Sequence, residues 1–497
     1  MALATGGAGA FLLAGRIRAE LRAVASSLHG RPLARPGAVL EAVWPHLLPL
    51  WLSTATLAPF VCLVLSLRRS GLDPDPDRSA RAALERAERR VARRAAASAG
   101  PWSEIEAAAF LGYRLSGDPL LPLRRGRVYL PLSRLGHHLL VVGATGSGKT
   151  ETVLRLVDSV ARTSDWSIVF LDGKGDRETA ERFSALMAAA GRSVWRFPEA
   201  AYDGWRGDGA EIAGRLLQLV DFAESGGGTY YRDLAVNAVR LACAGAAGPP
   251  RSSTELLRRL RGEALAQLHP PGSLAAAEIA GLRRDQLDGI RARYAAFFAT
   301  VGGALDGGVA LEEIESAYFL LDGLRLKHEA GYLARFLVEE FTQWAVGRKP
   351  RAKRVLLVVD EFSAIATAGK GLVDVVERTR AFGVGAVLCP QLAEGMGSFE
   401  ASARLIGSAQ TILLHAMPNP ERFVEVAGGR RVALTSRQLD GDAPTGLGST
   451  RPGHERRIDP DEVRRLKPGQ CFAIGSGLAL KLQISPAARL PGRDENR

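Results

Sequence analysis

The residues best equipped for chemistry run from Gly143 to Thr150, reading Gly-Ala-Thr-Gly-Ser-Gly-Lys-Thr, and they meet G-x-x-x-x-G-K-[ST] at every position. An apolar run, His138–Val142, precedes them and a helical run, Glu151–Arg162, follows. In that setting Gly143, Ala144, Thr145, Gly146, Ser147 and Gly148 can turn backbone N–H groups into one concavity. The adjoining helix N-terminus adds partial positive charge, which favours a bound anion. Lys149 is placed to reach β- and γ-phosphates and the Thr150 hydroxyl to ligate Mg2+; Glu151, next in line, is counted with the nucleotide-binding loop. A second group lies in Val355–Ile365, where five apolar residues lead into adjacent carboxylates. Asp360 is expected to hold the Mg2+ shell and Glu361 to polarise an attacking water. By itself Asp360 could equally cap the next helix; beside a complete phosphate loop the metal-binding role is favoured. ATP and Mg2+ are the expected substrate and cofactor.

Two further groups are less specific. Phe170–Asp176 reads FLDGKGD, which places Asp172 and Lys174 at the carboxyl edge of a strand. That edge borders the nucleotide crevice of an open α/β sheet, and Asp172 joins the nucleotide-binding candidates, although a plain polar turn would look the same. Glu377–Gln391 reads ERTRAFGVGAVLCPQ. Gln391 follows an apolar strand, where a side-chain amide could sense a γ-phosphate. Arg380 has two readings that the residues leave open: an arginine finger reaching across a subunit interface, or a cation complementing a helix C-terminus.

These residues need a scaffold, and the chain is long enough to supply one. Its 497 residues allow two to four domains, and 46% hydrophobic with 24% charged residues indicates a folded chain. Short apolar runs alternate with helical patterns from about Pro101 onward, with strands expected at 127–131, 138–142, 167–171, 193–197, 317–321, 355–359, 385–389 and 411–415. Such alternation predicts an α/β fold, a mostly parallel sheet with helices on both faces. At the start of the 138–142 strand His137 and His138 are expected to point to opposite faces. Between about 222 and 315 the pattern is helical, as for an all-α domain inserted into the core. Lys149 and Asp360 are more than two hundred residues apart, too far for a small nucleotide kinase or G protein. The expected organisation is an N-terminal tail (1–41), a transmembrane helix (42–67), a basic juxtamembrane linker (68–100), a first nucleotide-binding part (101–221), the helical insert (222–315) and a second nucleotide-binding part (316–497).

The membrane helix rests on Ala42–Leu67, which has no Lys, Arg, Asp or Glu, carries Trp44 and Trp51 near its start and is closed by Arg68 and Arg69. Use of ATP puts the rest of the chain in the cytoplasm, as a single-pass protein of the inner membrane. The surplus of basic residues, +12, suits a polyanionic partner such as nucleic acid or an anionic membrane face. Four scattered cysteines (Cys62, Cys243, Cys389, Cys471) exclude a disulfide scaffold and paired-cysteine zinc sites. The stretch from Arg430 to Lys467 carries a modest basic excess and reads as a solvated loop, with a pore loop as the alternative.

Taken together, these pieces resemble the type IV secretion coupling proteins, membrane-anchored relatives of the FtsK/HerA-type DNA translocases. The likeness is carried, in order, by the N-terminal apolar segment, His138–Thr150, Asp172–Asp176, TYYRDLA (Thr229–Ala235) in the insert, Asp360–Phe362, Arg380–Gln391 and Ile458–Ile474. The resemblance implies a RecA-like P-loop NTPase and a homo-hexameric ring at the mouth of a secretion or conjugation channel. Its cargo would be DNA, usually single-stranded and attached to a relaxase, although double-stranded DNA also fits. It further implies Arg380 as a finger acting in trans, Gln391 as sensor, and cargo selection by the insert. Where relatives often carry an arginine, this chain has His137, so a second arginine contact is not expected. The same motor could serve protein effectors, and a non-hydrolysing membrane platform is the non-enzymatic alternative. A chromosome-partitioning pump would show several spans and a DNA-reading C-terminal domain.

Overall fold

In the computed structural model of the chain, the described residues are 108–115, 124–220, 228–322, 328–347, 353–361, 379–391, 394–440, 443–475 and 477–487, with the single positions Ala19 and Arg22. The expected membrane helix 42–67 and basic linker 68–100 lie outside them. Among the described residues no helix is long and apolar enough to cross a membrane. Two compact units are distinguished. One comprises Arg86–Val432 and Pro452–Arg497; the other comprises Met1–Glu85 and Ala433–Arg451.

The larger unit is organised by an eleven-stranded sheet in the order β2-β1-β13-β12-β9-β3-β8-β7-β4-β6-β5. Seven strands form its parallel part: β3 (Leu139–Val142), β4 (Ser167–Asp172), β5 (Trp195–Phe197), β6 (Ser316–Leu320), β7 (Val355–Asp360), β8 (Val384–Cys389) and β9 (Thr411–His415). The central members read LLVV, VLLVVD, VGAVLC and TILLH and are buried along their whole length. Runs without polar alternation are what a sheet covered on both faces requires. Antiparallel strands extend one side: β12 (Gln470–Gly475) joins β9, followed by β13 (Leu478–Ile484), β1 (Ala108–Leu115) and β2 (Arg124–Pro131). The mostly parallel α/β sheet expected from the alternation is present, and the antiparallel extension adds to it.

Apolar side chains fill both faces. On one, Phe170, Phe183 and Tyr318 pack together, with the Phe170 and Tyr318 rings stacked at 4.9 Å. On the other, Phe197, Tyr202 and Phe319 continue into the helical segment between β5 and β6. The helices that matter for position are α1 (Leu132–Leu135), α2 (Lys149–Thr163) and α3 (Arg177–Ala189). Between β5 and β6 follow α4 (Gly209–Leu216), α5 (Gly228–Cys243), α6 (Ser253–Arg259), α7 (Gly262–Gln267), α8 (Leu274–Ala280) and α9 (Arg284–Val301). The ends of this helical segment are stitched together: the Tyr202 N–H donates to Ala304 O at 2.8 Å, and Trp205 Nε1 to Asp306 Oδ1 at 2.8 Å.

Two local expectations are corrected. His138 is not on a strand; β3 begins at Leu139, and His138 adopts φ 62° so that its Nδ1 accepts from the Ala386 N–H at 3.2 Å. His137 is instead tied to the end of α1, its Nδ1 2.7 Å from Ser133 O. The stretch Arg430–Lys467 is not a solvated loop. It contains a two-stranded hairpin, β10 (Gly429–Asp440) with β11 (Ala443–Arg456), followed by the short helix Pro460–Arg464. At the hairpin base Arg430 pairs with Glu455 at 2.9 Å. Glycine, proline and charge mask a strand when its stability comes from pairing across the hairpin instead of burial.

Candidate active site

The sheet order brings the chemical residues to one edge. β8 lies between β3 and β7, so the carboxyl ends of three neighbouring parallel strands carry the phosphate loop, Gln391 and the Asp360–Glu361 pair. In an open α/β sheet this edge is where ligands bind.

The phosphate loop joins β3 to α2, whose fifteen residues begin at Lys149. Gly148 caps the helix in the left-handed region at φ 100°, and a Cβ there would stand 2.6 Å from Gly469 N, so only glycine fits. The Ala144 N–H donates to Ala416 O at 2.8 Å, which fastens the loop to the end of β9. Lys149 is buried; its ammonium donates to Gly143 O and, at 3.4 Å, to Ala144 O. Burial lowers its pKa, while the nearby acidic groups, among them Asp360 and Glu361, favour its charged form. Thr150 stands in the first turn of α2. Glu151 is turned to structural partners: it pairs with Arg182 at 2.6 Å and accepts from the Ala487 N–H at 2.8 Å.

Asp360 ends β7, in register with Asp172 on β4 and Cys389 on β8. Its carboxyl is pushed up to about 6, chiefly by burial and then by the Asp172 charge. Its Oδ1 accepts from the Glu361 N–H at 2.9 Å. Glu361 is a non-glycine residue at φ 54°, the kind of backbone strain that collects where chemistry needs a particular aim. That aim is toward Gln391, whose Nε2 donates to both carboxylate oxygens, at 2.6 and 2.8 Å. Arg380 opens the 3-10 turn Arg380–Phe382, which leads into β8. The Asp172 carboxylate is held by the turn that follows it. Its oxygens accept from the backbone of Lys174, Gly175 and Asp176 at 2.9, 3.1 and 2.9 Å, and from the Tyr318 hydroxyl at 2.8 Å. Asp172 shapes the turn that begins α3, and burial raises its pKa.

One functional neighbour escaped the sequence reading. His415, at the end of β9, is fully buried under the phosphate loop, and a Cβ on Gly143 would come within 2.6 Å of its Cβ. The Thr152 hydroxyl donates to Gly148 O at 3.1 Å and lies 3.0 Å from His415 Nε2. The available signal was position: His415 closes an apolar strand, as Asp360 does. Burial lowers its pKa to about 4, against backbone hydrogen bonds that raise it and with a smaller push down from the Lys149 charge. The unfolded chain therefore binds a proton near pH 6.5 that the native state refuses until about pH 4. Its contribution to stability is complete above the unfolded value and is lost as pH falls. Between pH 7 and pH 5 the native state should lose about 2 kcal/mol through this group alone. Urea unfolding at the two pH values, compared with His415→Gln, should show a flatter dependence in the variant; equal slopes would refute this assignment.

The sheet order and the glycine-rich loop together are those of the P-loop NTPase fold. The family described as "Helicase HerA, central domain" matches residues 120–197, which include the phosphate loop. No curated protein sequence matches the chain. Among solved structures it is similar to the bacterial conjugative coupling protein TrwB without its first 70 residues, at 15% identity and a TM-score of 0.55, covering 73% of this chain and 87% of that one. TrwB in complex with ADP and Mg2+ gives 14% identity and a TM-score of 0.52, covering 78% and 96%. VirB4 of Thermoanaerobacter pseudethanolicus gives 13% and 0.51, covering 77% and 98%. At these identities what is shared is the fold.

Proposed function

We propose that this chain hydrolyses ATP to drive DNA, single-stranded and linked to a relaxase, into a type IV secretion or conjugation channel. In this reading it works as a homo-hexameric ring held at the inner membrane through residues 42–67, with the sheet on the cytoplasmic side. The observation that carries the proposal is the grip of Gln391 on Glu361 beside Asp360. A bare phosphate loop binds nucleotide; a strained carboxylate, held by an amide one strand from that loop, is equipped to direct a water.

The residues present fit a nucleoside triphosphate with Mg2+. Gly148 and the N-terminus of α2 form a backbone cradle for phosphate. Asp360 and Asp172 are neighbouring buried carboxylates with raised pKa values, an arrangement that a divalent cation relieves. Thr150 and Asp360 would hold Mg2+, which when bound neutralises developing phosphate charge. Lys149 would bind the terminal phosphates, Glu361 would orient water and take up its proton, and Gln391 would hold Glu361 in place. Arg380 would act across a subunit boundary. The cargo and channel rest on the fold shared with a conjugative coupling protein and on the basic surplus of the chain.

The test is phosphate release by the full chain in lipid vesicles, with and without single-stranded DNA, across a salt series. DNA should stimulate turnover, the stimulation should fade with salt as phosphate contacts are screened, and Arg380→Ala should lose it. Turnover indifferent to DNA but raised by a protein substrate would replace DNA with protein cargo; absence of turnover would favour a membrane platform.

A further inference from the structure

We infer that the turn Lys467–Gln470, which enters β12, is a positioning element of the phosphate loop and sets its affinity for nucleotide; this rests on the nucleotide reading above. The turn lies more than three hundred residues downstream of the loop, yet the two backbones touch. The Gly469 N–H donates to Ser147 O at 3.0 Å. Gly148 and Gly469 approach so closely that a Cβ on Gly148 would meet both Gly469 N, at 2.6 Å, and Gly469 Cα, at 3.0 Å. Gly469 lies in the left-handed region at φ 77°. Its carbonyl is held by the Ile484 N–H at 2.9 Å and by Gln483 Nε2 at 3.2 Å. The turn is closed internally as well: the Gln470 N–H donates to Lys467 O at 2.9 Å, and the Lys467 N–H to Gln470 Oε1 at 3.1 Å.

The consequence is a loop braced from two sides. The end of β9 fixes Ala144, and the β12 turn fixes Ser147. The segment just after β13 grips the following helix as well, where the Ala487 N–H donates to Glu151. Gly148 supplies the left-handed residue at the helix start, and the space a Cβ would take there is filled by Gly469. A phosphate cradle whose backbone is already ordered binds without first paying for that order. Loosening the turn should therefore weaken binding and leave the hydrolytic residues Glu361 and Gln391 untouched.

The experiment compares Gly469→Ala, Gly469→Asn and Gln483→Ala with the wild-type full chain, measuring ATP affinity without turnover, KM and kcat for hydrolysis, and thermal unfolding. Alanine is strained in the left-handed region and asparagine less so. Gly469→Ala should raise both Kd and KM about tenfold, the scale of one lost backbone hydrogen bond, with kcat within about twofold of wild type. Gly469→Asn should recover part of the affinity. Gln483→Ala keeps the glycine and removes a donor to its carbonyl; it should weaken ATP binding a few-fold, and it decides the matter if the alanine variant does not fold. Unchanged affinity in folded variants, whether or not Tm falls, would overturn the brace and leave the nucleotide site standing. A wild-type chain that binds no ATP would overturn the nucleotide reading, and the brace with it.

Discussion

Lys149→Ala should leave a folded protein whose ATP hydrolysis falls by about a thousandfold or more. The expectation follows from where the ammonium stands. It is buried in the loop, tethered to Gly143 O and Ala144 O, within the electrostatic reach of Asp360 and Glu361. A preorganised cation of that kind stabilises charge that develops on transferring phosphate, and losing one such donor typically costs about 10²–10³-fold in turnover before any loss of binding is added. Folding should not suffer, because the substitution also removes a charge that burial disfavours. Phosphate release and thermal unfolding measured on one preparation test both halves. Turnover above about a tenth of wild type would contradict the placement of Lys149 at the reacting phosphates.

Glu361→Gln should separate binding from chemistry. The substitution preserves size and still offers an oxygen to the Gln391 amide, which now donates to both carboxylate oxygens. It removes the group able to take a proton from water, a contribution of about 10²–10⁴-fold. ATP affinity should stay near wild type while kcat collapses, so the variant should accumulate bound, unhydrolysed nucleotide. A fall in affinity with kcat preserved would assign Glu361 to binding. A proportionate loss in Gln391→Ala would show that the aim of Glu361, as well as its basicity, is required.

Much of this site was legible because its parts are local. Eight contiguous residues between an apolar run and a helical run suffice to specify a phosphate loop at a helix N-terminus. An apolar run ending in Asp360–Glu361 likewise announces a buried strand that delivers carboxylates to a sheet edge. The core strands were readable for the same reason, since strands buried on both faces carry no polar alternation. Asp172 was placed correctly at an edge, but its partners, the turn it organises and the Tyr318 hydroxyl, show only in the tertiary structure. Strand β1 and the β10–β11 hairpin were missed. AAFLGYRL offers little contrast, and β11 contains glycine and proline, so their pairing depends on a neighbour that the local sequence does not name.

By itself, then, the sequence determined an α/β fold, a loop of the phosphate-binding pattern at a helix N-terminus and the carboxylates at the same sheet edge, because hydrophobic period and glycine placement act over a dozen residues or fewer. Only the tertiary structure decided that β8 separates β3 from β7 and so sets Gln391 against Glu361. It alone placed His415 beneath the loop and Gly469 against Gly148. Those contacts join segments far apart in the chain, and strand order and close backbone approach are settled by packing the whole sheet, which no local pattern encodes.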